Sequence, residues 1–260
     1  MIVMKKTVGA YLFASLLCGL VLLSSCSKDD DGPAGPTPKR LVSKVTFDAT
    51  GDPESKLEII RKQVVELTYD APRRVTGAKF SAVGEQTYEM WNCRLAYKAA
   101  DSLYVTLSGM MAGSEPAVAG FRLNPDGTVA SGKEGDTGMT CAYRDGYLYK
   151  MTVDGLTRFY VWDNGNLVFQ SGGGSGADNR FYPVANTLNV DIVGLMQVTA
   201  DIPAILHALG LMGLQNRDLV WTVGDRLFFE YAFGPEGEVT GGQVTMDDSG
   251  ETVRIGLEYL

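Results

Sequence analysis

Few side chains in this 260-residue chain could do chemistry. The one histidine, His207, leaves almost nothing from which to build a histidine-based metal site or a histidine-dependent triad. It lies beside an apolar helix face and reads as a helix-surface or satisfied core histidine. Gly174-Ser175-Gly176 is loop composition, without the Gly-x-Ser-x-Gly spacing of a nucleophile elbow. Gly172-Gly173-Gly174 has no following lysine and therefore does not form a phosphate loop. Asp247-Asp248 sits in a turn, and Asp178 and Asp191 flank the helical stretch. None shows calcium-ligand spacing, and sequence does not set any pair at glycosidase separation. No catalytic residue, metal site or cofactor is expected.

The thiols and aromatics remain. No Cys-x-x-Cys occurs, so thiol redox chemistry has no support. By alternation Cys93 shares a face with Trp91, Leu95 and Tyr97, and Cys141 with Met139 and Tyr143. Two readings stand side by side. One is a Cys93–Cys141 disulfide, worth ~4 kcal/mol in the chain-entropy model. The other is a pair of small buried hydrophobes. Trp91, Tyr160 and Trp162 are the candidate ligand contacts, with core packing as the competing role for each. On the strand at 157–162, Thr157, Phe159 and Val161 form one face and Arg158, Tyr160 and Trp162 the other. Both faces are bulky, so the sheet is either covered on both sides or exposes an aromatic patch.

The elements that must position these groups begin with an address. Lys5 and Lys6 precede an apolar run from Val8 to Leu23, which is shorter than a membrane span and fits a signal peptide over 1–25. Leu23-Ser24-Ser25-Cys26 resembles the bacterial lipobox, which implies that Cys26 is the lipid-bearing first residue of the mature chain. Ser27-Lys28-Asp29-Asp30-Asp31-Gly32 resembles the acidic export tag of Bacteroidetes surface lipoproteins. Gly32-Pro33-Ala34-Gly35-Pro36 continues the tether over 26–39. A multiply acylated cysteine anchors stably, because each buried methylene contributes ~0.8 kcal/mol. The expected location is the outer membrane, lipid-anchored and facing the exterior. The chain carries 23 Lys and Arg against 31 Asp and Glu, a formal charge of −8. That excess repels phosphate, so nucleic acid is not an expected partner.

From residue 40 onward the dominant period is two. Gln63, Val65, Leu67 and Tyr69 alternate with polar neighbours, as do Tyr147, Tyr149, Met151 and Val153, and Val253, Ile255, Leu257 and Tyr259. Asp126-Gly127, Asp145-Gly146, Asp154-Gly155, Asn164-Gly165, Glu236-Gly237 and Ser249-Gly250 punctuate the strands. Short connections force antiparallel neighbours. One stretch departs from period two: Ile202, Ile205, Leu206 and Leu209 form an apolar helix face, with Asp201 as N-cap, Pro203 early and Gly210 at the end. The expected fold is mainly β, a single all-β domain over 40–260. It is an antiparallel hairpin meander curling into a barrel-like sheet, with one short helical segment near 190–212. Ser171–Gly176 reads as a mobile loop.

The hairpin Tyr160-Val161-Trp162-Asp163-Asn164-Gly165-Asn166-Leu167, and Asn186-x-x-Asn189-Val190-Asp191 before an apolar helix and a Gly-Leu segment, resemble a Bacteroidetes lipoprotein family, a domain of unknown function with a porin-like fold. The resemblance implies a meander that curls into a barrel and carries over no catalytic residue. Lipobox, acidic tag and proline spacer belong to tethered water-soluble domains rather than to a membrane barrel. The leading expectation is a non-catalytic surface lipoprotein that binds a glycan, peptide or lipid. The alternative is a structural or assembly partner of an outer-membrane protein complex. A hydrolase with an acid-only site ranks last. A pocket of aromatics with a few polar groups favours the first, a long unpaired edge strand the second, and two buried carboxylates facing one cleft the third.

Overall fold

The computed structural model describes residues 40–49, 62–71, 73–171, 178–197 and 200–260. The expected signal peptide, the expected lipid anchor Cys26, the expected tether and Gly172–Gly176 lie outside them.

The body is one 16-stranded antiparallel sheet that curls into a nearly closed barrel. The first run is β1 (Val42–Ala49), β2 (Lys62–Tyr69), β3 (Val75–Val83), β4 (Thr87–Ala99), β5 (Ser102–Ser108) and β6 (Ala117–Leu123). It continues through β7 (Val129–Glu134), β8 (Thr137–Arg144), β9 (Tyr147–Val153), β10 (Leu156–Asp163) and β11 (Asn166–Gln170). Then come β12 (Asn179–Ala185), two short helices, α1 (Ile192–Gln197) and α2 (Ile202–Ala208), and finally β13 (Asp218–Val223), β14 (Leu227–Phe233), β15 (Val239–Met246) and β16 (Thr252–Tyr259). Successive strands pair along each run, and β1 joins β16, so the sheet starts at β11 and ends at β12.

Turn chemistry sets this meander. Asp145-Gly146, Asp154-Gly155 and Asn164-Gly165 each take positive φ at both residues, the backbone that tight hairpins need for their twist. The close neighbour pairs at β3–β4 and β6–β7 show how side chains settle the register. Phe80 lies opposite Trp91, with ring centroids 5.5 Å apart. Phe121 lies opposite Gly132, where a β-carbon would come within 2.1 Å of the Phe121 ring.

The two faces differ sharply in polarity. On one, the cross-strand row Leu257–Val45–Val65–Phe80–Trp91 belongs to a single apolar cluster. One residue along, on the other face, runs Glu258–Lys44–Glu66–Lys79–Asn92, with Lys44 to Glu258 at 2.6 Å. A second outer row reads Lys62–Asp48–Arg254–Gln243–Glu230. Apolar inside and charged outside is the reverse of a lipid-facing barrel wall. These strands therefore present their outer surface to water. Exposed apolar side chains gather on the β10–β11 hairpin, at Leu156, Phe159, Val161 and Phe169, with further ones at Tyr104, Val118, Trp221 and Phe233 on β5, β6, β13 and β14.

Tyrosines close the ends of the wall. Tyr69 donates to the Val42 carbonyl at 2.7 Å, Tyr97 to Val75 at 3.2 Å, Tyr143 to Val129 at 2.6 Å and Tyr182 to Phe229 at 2.9 Å. Tyr259 likewise donates to the Val239 carbonyl. Each buries an aromatic body against the core and spends its hydroxyl on a backbone acceptor.

The helical segment fills the interior. Ile192 and Leu195 of α1, and Ile202, Ile205 and Leu206 of α2, join the same apolar cluster as the strands. Asp201 occupies the N-cap with extended backbone, Pro203 sits in the first turn, and Gly210 ends the helix at φ 77°. Asp201 makes no side-chain cap hydrogen bond. Asn189, just before α1, accepts from the Val42 backbone at 2.9 Å and donates to the Tyr69 hydroxyl at 2.8 Å, which fixes the segment to β1 and β2. No helix among the described residues is long and apolar enough to cross a membrane.

Candidate functional site

The sheet does not close by backbone pairing between β11 and β12. Side chains bridge the gap instead, together with one backbone bond from Arg217 N–H to the Gly165 carbonyl at 2.9 Å. Asn179 donates its amide to the Leu167 carbonyl at 2.9 Å, and the Leu167 backbone donates to Asn216 Oδ1 at 2.7 Å. Asn166 donates to Asp218 Oδ2 and accepts from the Asp218 backbone, both at 2.9 Å. Asn186 reaches the Asn216 carbonyl at 3.1 Å. Amides suit this seam because each carries a donor and an acceptor and can imitate a peptide group.

Beneath the seam lies a cavity of about 380 Å³. Met151, Leu167, Met212, Val220 and Val223 supply apolar walls. Arg158, Tyr160, Gln170, Asn179, Asp191, Asp201, His207 and Asn216 supply polar ones. The cavity is graded. Arg158 and Asp201 are exposed, and therefore mark the mouth. Asn179 Oδ1 is fully buried and finds no partner among the described residues. Its orientation follows from the seam, since the amide nitrogen is committed to Leu167.

The electrostatics follow from burial. Although Asp201 is exposed as a residue, its carboxyl is partly shielded from water, which pushes it up, and the Arg158 guanidinium partly offsets this. Burial lowers the His207 imidazole below its ordinary value, against the pull of Asp191, so the ring is neutral at neutral pH. The gap from His207 Nδ1 to Asp191 Oδ2 is 4.0 Å, too long for a hydrogen bond. Asp191 Oδ1 accepts from the Val193 backbone at 3.0 Å and so opens α1. The Tyr160 ring lies nearly parallel to His207, centroids 6.1 Å apart, and burial raises its hydroxyl to about 12. Tyr160 therefore stays protonated and can donate.

Of the residues singled out in the sequence, Tyr160 lines this cavity. Trp162 does not: it packs on Tyr147 with centroids 4.6 Å apart, donates to the Leu148 carbonyl at 2.7 Å, and borders a smaller adjoining void of about 30 Å³. Trp91 is fully buried against Phe80, within the packed core. Cys93 and Cys141 are both free thiols. They sit on β4 and β8, four strand positions apart or about 19 Å along the wall. A disulfide needs α-carbons within about 7 Å. Burial raises Cys93 to about 12 and Cys141 to about 11, which suits inert packing residues. Arg158, Asn179, Asp191, Asp201, His207 and Asn216 were not read as site residues. The available signal was the break in period two, where a helix carrying the single histidine and bounded by aspartates interrupts a run of strands. Among the described residues no group of three or more His, Cys, Asp or Glu gathers to hold a metal.

No protein-family model matches the chain, and no curated protein matches it. Among solved structures, a porin-like protein from Bacteroides uniformis is similar in fold. The TM-score is 0.61 at 16% identity, over 84% of this chain and 98% of that one. A porin-like protein from Bacteroides vulgatus matches with a TM-score of 0.32 at 12% identity, over 85% of this chain and 99% of that one. The architecture described above is thus that of a porin-like β-barrel.

Proposed function

We propose that this protein is a surface-tethered, non-catalytic binding lipoprotein that holds a small ligand in the seam cavity. The observation that carries the reading is the cavity itself: about 380 Å³, apolar walls, the Tyr160 ring, and polar groups converging from β10, β12 and the helices. Binding sites have this size and this mixture. Cys26 is the anchor, supported by the lipobox and the acidic residues after it. The charged outer rows support a body that stands in water on its tether rather than in the bilayer. Glycans, peptides and lipid headgroups all remain within the reading.

Two carboxylates, Asp191 and Asp201, border the cavity, as an acid-only hydrolase would require. Asp191, however, is tied to the start of α1, and Asp201 holds the N-cap position at the mouth. A second reading, contact with an outer-membrane protein, draws on the exposed apolar residues of β10–β11. The free strand edges do not favour it, because β11 has 5 residues and its edge is bridged by Asn179 and Asn216.

The test is calorimetric titration of the mature chain, purified in detergent, against sugars, amino acids, short peptides and lipid headgroups. Binding that Val220→Trp abolishes supports the cavity. Absence of any binding, with an outer-membrane protein co-purifying through the β10–β11 face, replaces the first reading with the second. Mass spectrometry of the N-terminal peptide checks the anchor, and an unmodified Cys26 thiol overturns it.

A further inference from the structure

Several polar atoms reach the seam cavity with nothing bonded to them. Asp191 commits Oδ1 to the Val193 backbone, and its Oδ2 makes no hydrogen bond among the described residues. The same holds for the Tyr160 hydroxyl, the Gln170 amide, the Asn216 amide nitrogen and the His207 ring nitrogens. None of these atoms is sealed off, in contrast to Asn179 Oδ1. The Asp191 and His207 side chains keep 20% and 29% of their surface accessible. The set is mixed in kind. Asp191 Oδ2 accepts, the Asn216 nitrogen donates, and Tyr160, Gln170 and the neutral His207 ring do both. At the mouth, Asp201 adds an acceptor and Arg158 a donor. An ammonium group only donates and leaves Asn216 and Arg158 unmet. A carboxylate or phosphate only accepts and leaves Asp191 and Asp201 unmet. A hydroxyl does both and carries no charge.

We propose that the cavity binds a neutral, polyhydroxylated ring, and that one ring hydroxyl bridges Asp191 Oδ2 and His207 Nδ1. Those two atoms are 4.0 Å apart, too far to bond each other, and an oxygen about 2.8 Å from each fits between them. Gly194 keeps that oxygen open. It lies within α1, where glycine weakens a helix relative to alanine. A β-carbon there would stand 2.9 Å from Asp191 Oδ2, on the cavity lining. The Tyr160 ring and the apolar walls suit the C–H faces of the ligand. About 380 Å³ is at the small end of ligand sites, so the occupant is one or two rings rather than a long chain. A sugar and a cyclitol offer the same chemistry. This inference rests on the seam cavity being the binding site.

The experiment is calorimetry on the mature, detergent-purified chain with glucose, galactose, mannose and myo-inositol, against alanine, alaninamide and acetate as charged probes. At least one neutral ring is expected to bind tenfold or more tighter than any charged probe, and whether sugar or inositol responds identifies the source. Monodeoxy forms of the ring that binds then locate the bridging hydroxyl, whose loss is expected to cost tenfold or more. Asp191→Asn keeps an oxygen for the Val193 backbone and replaces the free one. It is expected to weaken the parent ring tenfold or more while leaving the affinity for that one deoxy form unchanged, a coupling that a merely structural role does not produce. Gly194→Ala is expected to weaken the parent ring tenfold or more in protein that still melts cooperatively. Equal weakening of the parent and every deoxy form by Asp191→Asn, or unchanged affinity in folded Gly194→Ala, overturns the bridge. Binding of charged probes alone overturns the inference, and if Val220→Trp abolishes that binding the cavity reading stands without it. Ring binding that survives Val220→Trp overturns both.

Discussion

Replacing Asn166 with alanine isolates the seam from the cavity, because the Asn166 side chain bonds Asp218 and does not border the void. The substitution removes two hydrogen bonds of 2.9 Å, each worth about 1 kcal/mol net. It also leaves the part-buried Asp218 backbone N–H without that acceptor, at a further cost of about 1–2 kcal/mol. The Asp218 carboxylate keeps Arg217 at 2.8 Å, so no charge is stranded. The expected total is about 2–4 kcal/mol, or roughly 1 M off the urea midpoint for a domain of this size. Urea denaturation followed by tryptophan fluorescence measures the loss, and amide exchange locates it. Protection should fall first in β11, whose outer edge is held among the described residues by the Asn179 and Asn216 side chains. Gln243→Ala, which removes an exposed bond to Glu230, should change stability by no more than about 0.5 kcal/mol. A loss below about 0.5 kcal/mol for Asn166→Ala, with β11 protection unchanged, would mean that the amides decorate the seam rather than close it.

Alkylation in denaturant without reductant should label both Cys93 and Cys141 peptides, whereas the native protein at pH 8 should label neither within minutes; protection from alkylation in denaturant would indicate a bridge. His207 has its folded value below its unfolded one, so the unfolded chain takes up the proton first. Stability from this group is present above pH 6.5 and is lost as pH falls below it. Melting temperature should therefore drop between pH 7.5 and 5.5, and His207→Gln should flatten that drop. Gly132→Ala sets a β-carbon 2.1 Å from the Phe121 ring and should cost about 1–3 kcal/mol by chemical denaturation. Gly138→Ala, in open space on the adjacent strand, should be neutral or slightly stabilising.

The strands were legible because their inner residues are apolar and their outer ones charged, and a period-two pattern reports that difference directly. Val45 against Lys44, and Leu257 against Glu258, are enough to assign faces. The helix at Ile202–Ala208 was equally readable from Ile202, Ile205 and Leu206. Leu148 shows where alternation fails: it is fully buried although Tyr147 beside it is buried too, because the register shifts between Ala142 and Tyr143 on the partner strand. The site was barely visible. Asn179, Asp191 and His207 come from three elements whose meeting depends on where the barrel fails to close, a long-range property that no local spacing encodes. The aromatic cue singled out Tyr160, which lines the cavity, but ranked it equally with Trp91, which lies in the core, since the two settings look alike in a strand pattern.

The pairing of β1 with β16 sets the order of assembly. Val42 lies opposite Tyr259, and Phe47 opposite Ile255. Every other neighbour pair up to β11 can form as soon as the two strands of its hairpin are available. The wall, however, keeps a bare edge at β1 until the last strand arrives. Such distant contacts slow folding, because a long loop must close before they form. The barrel wall is therefore completed only when the last strand has paired with the first.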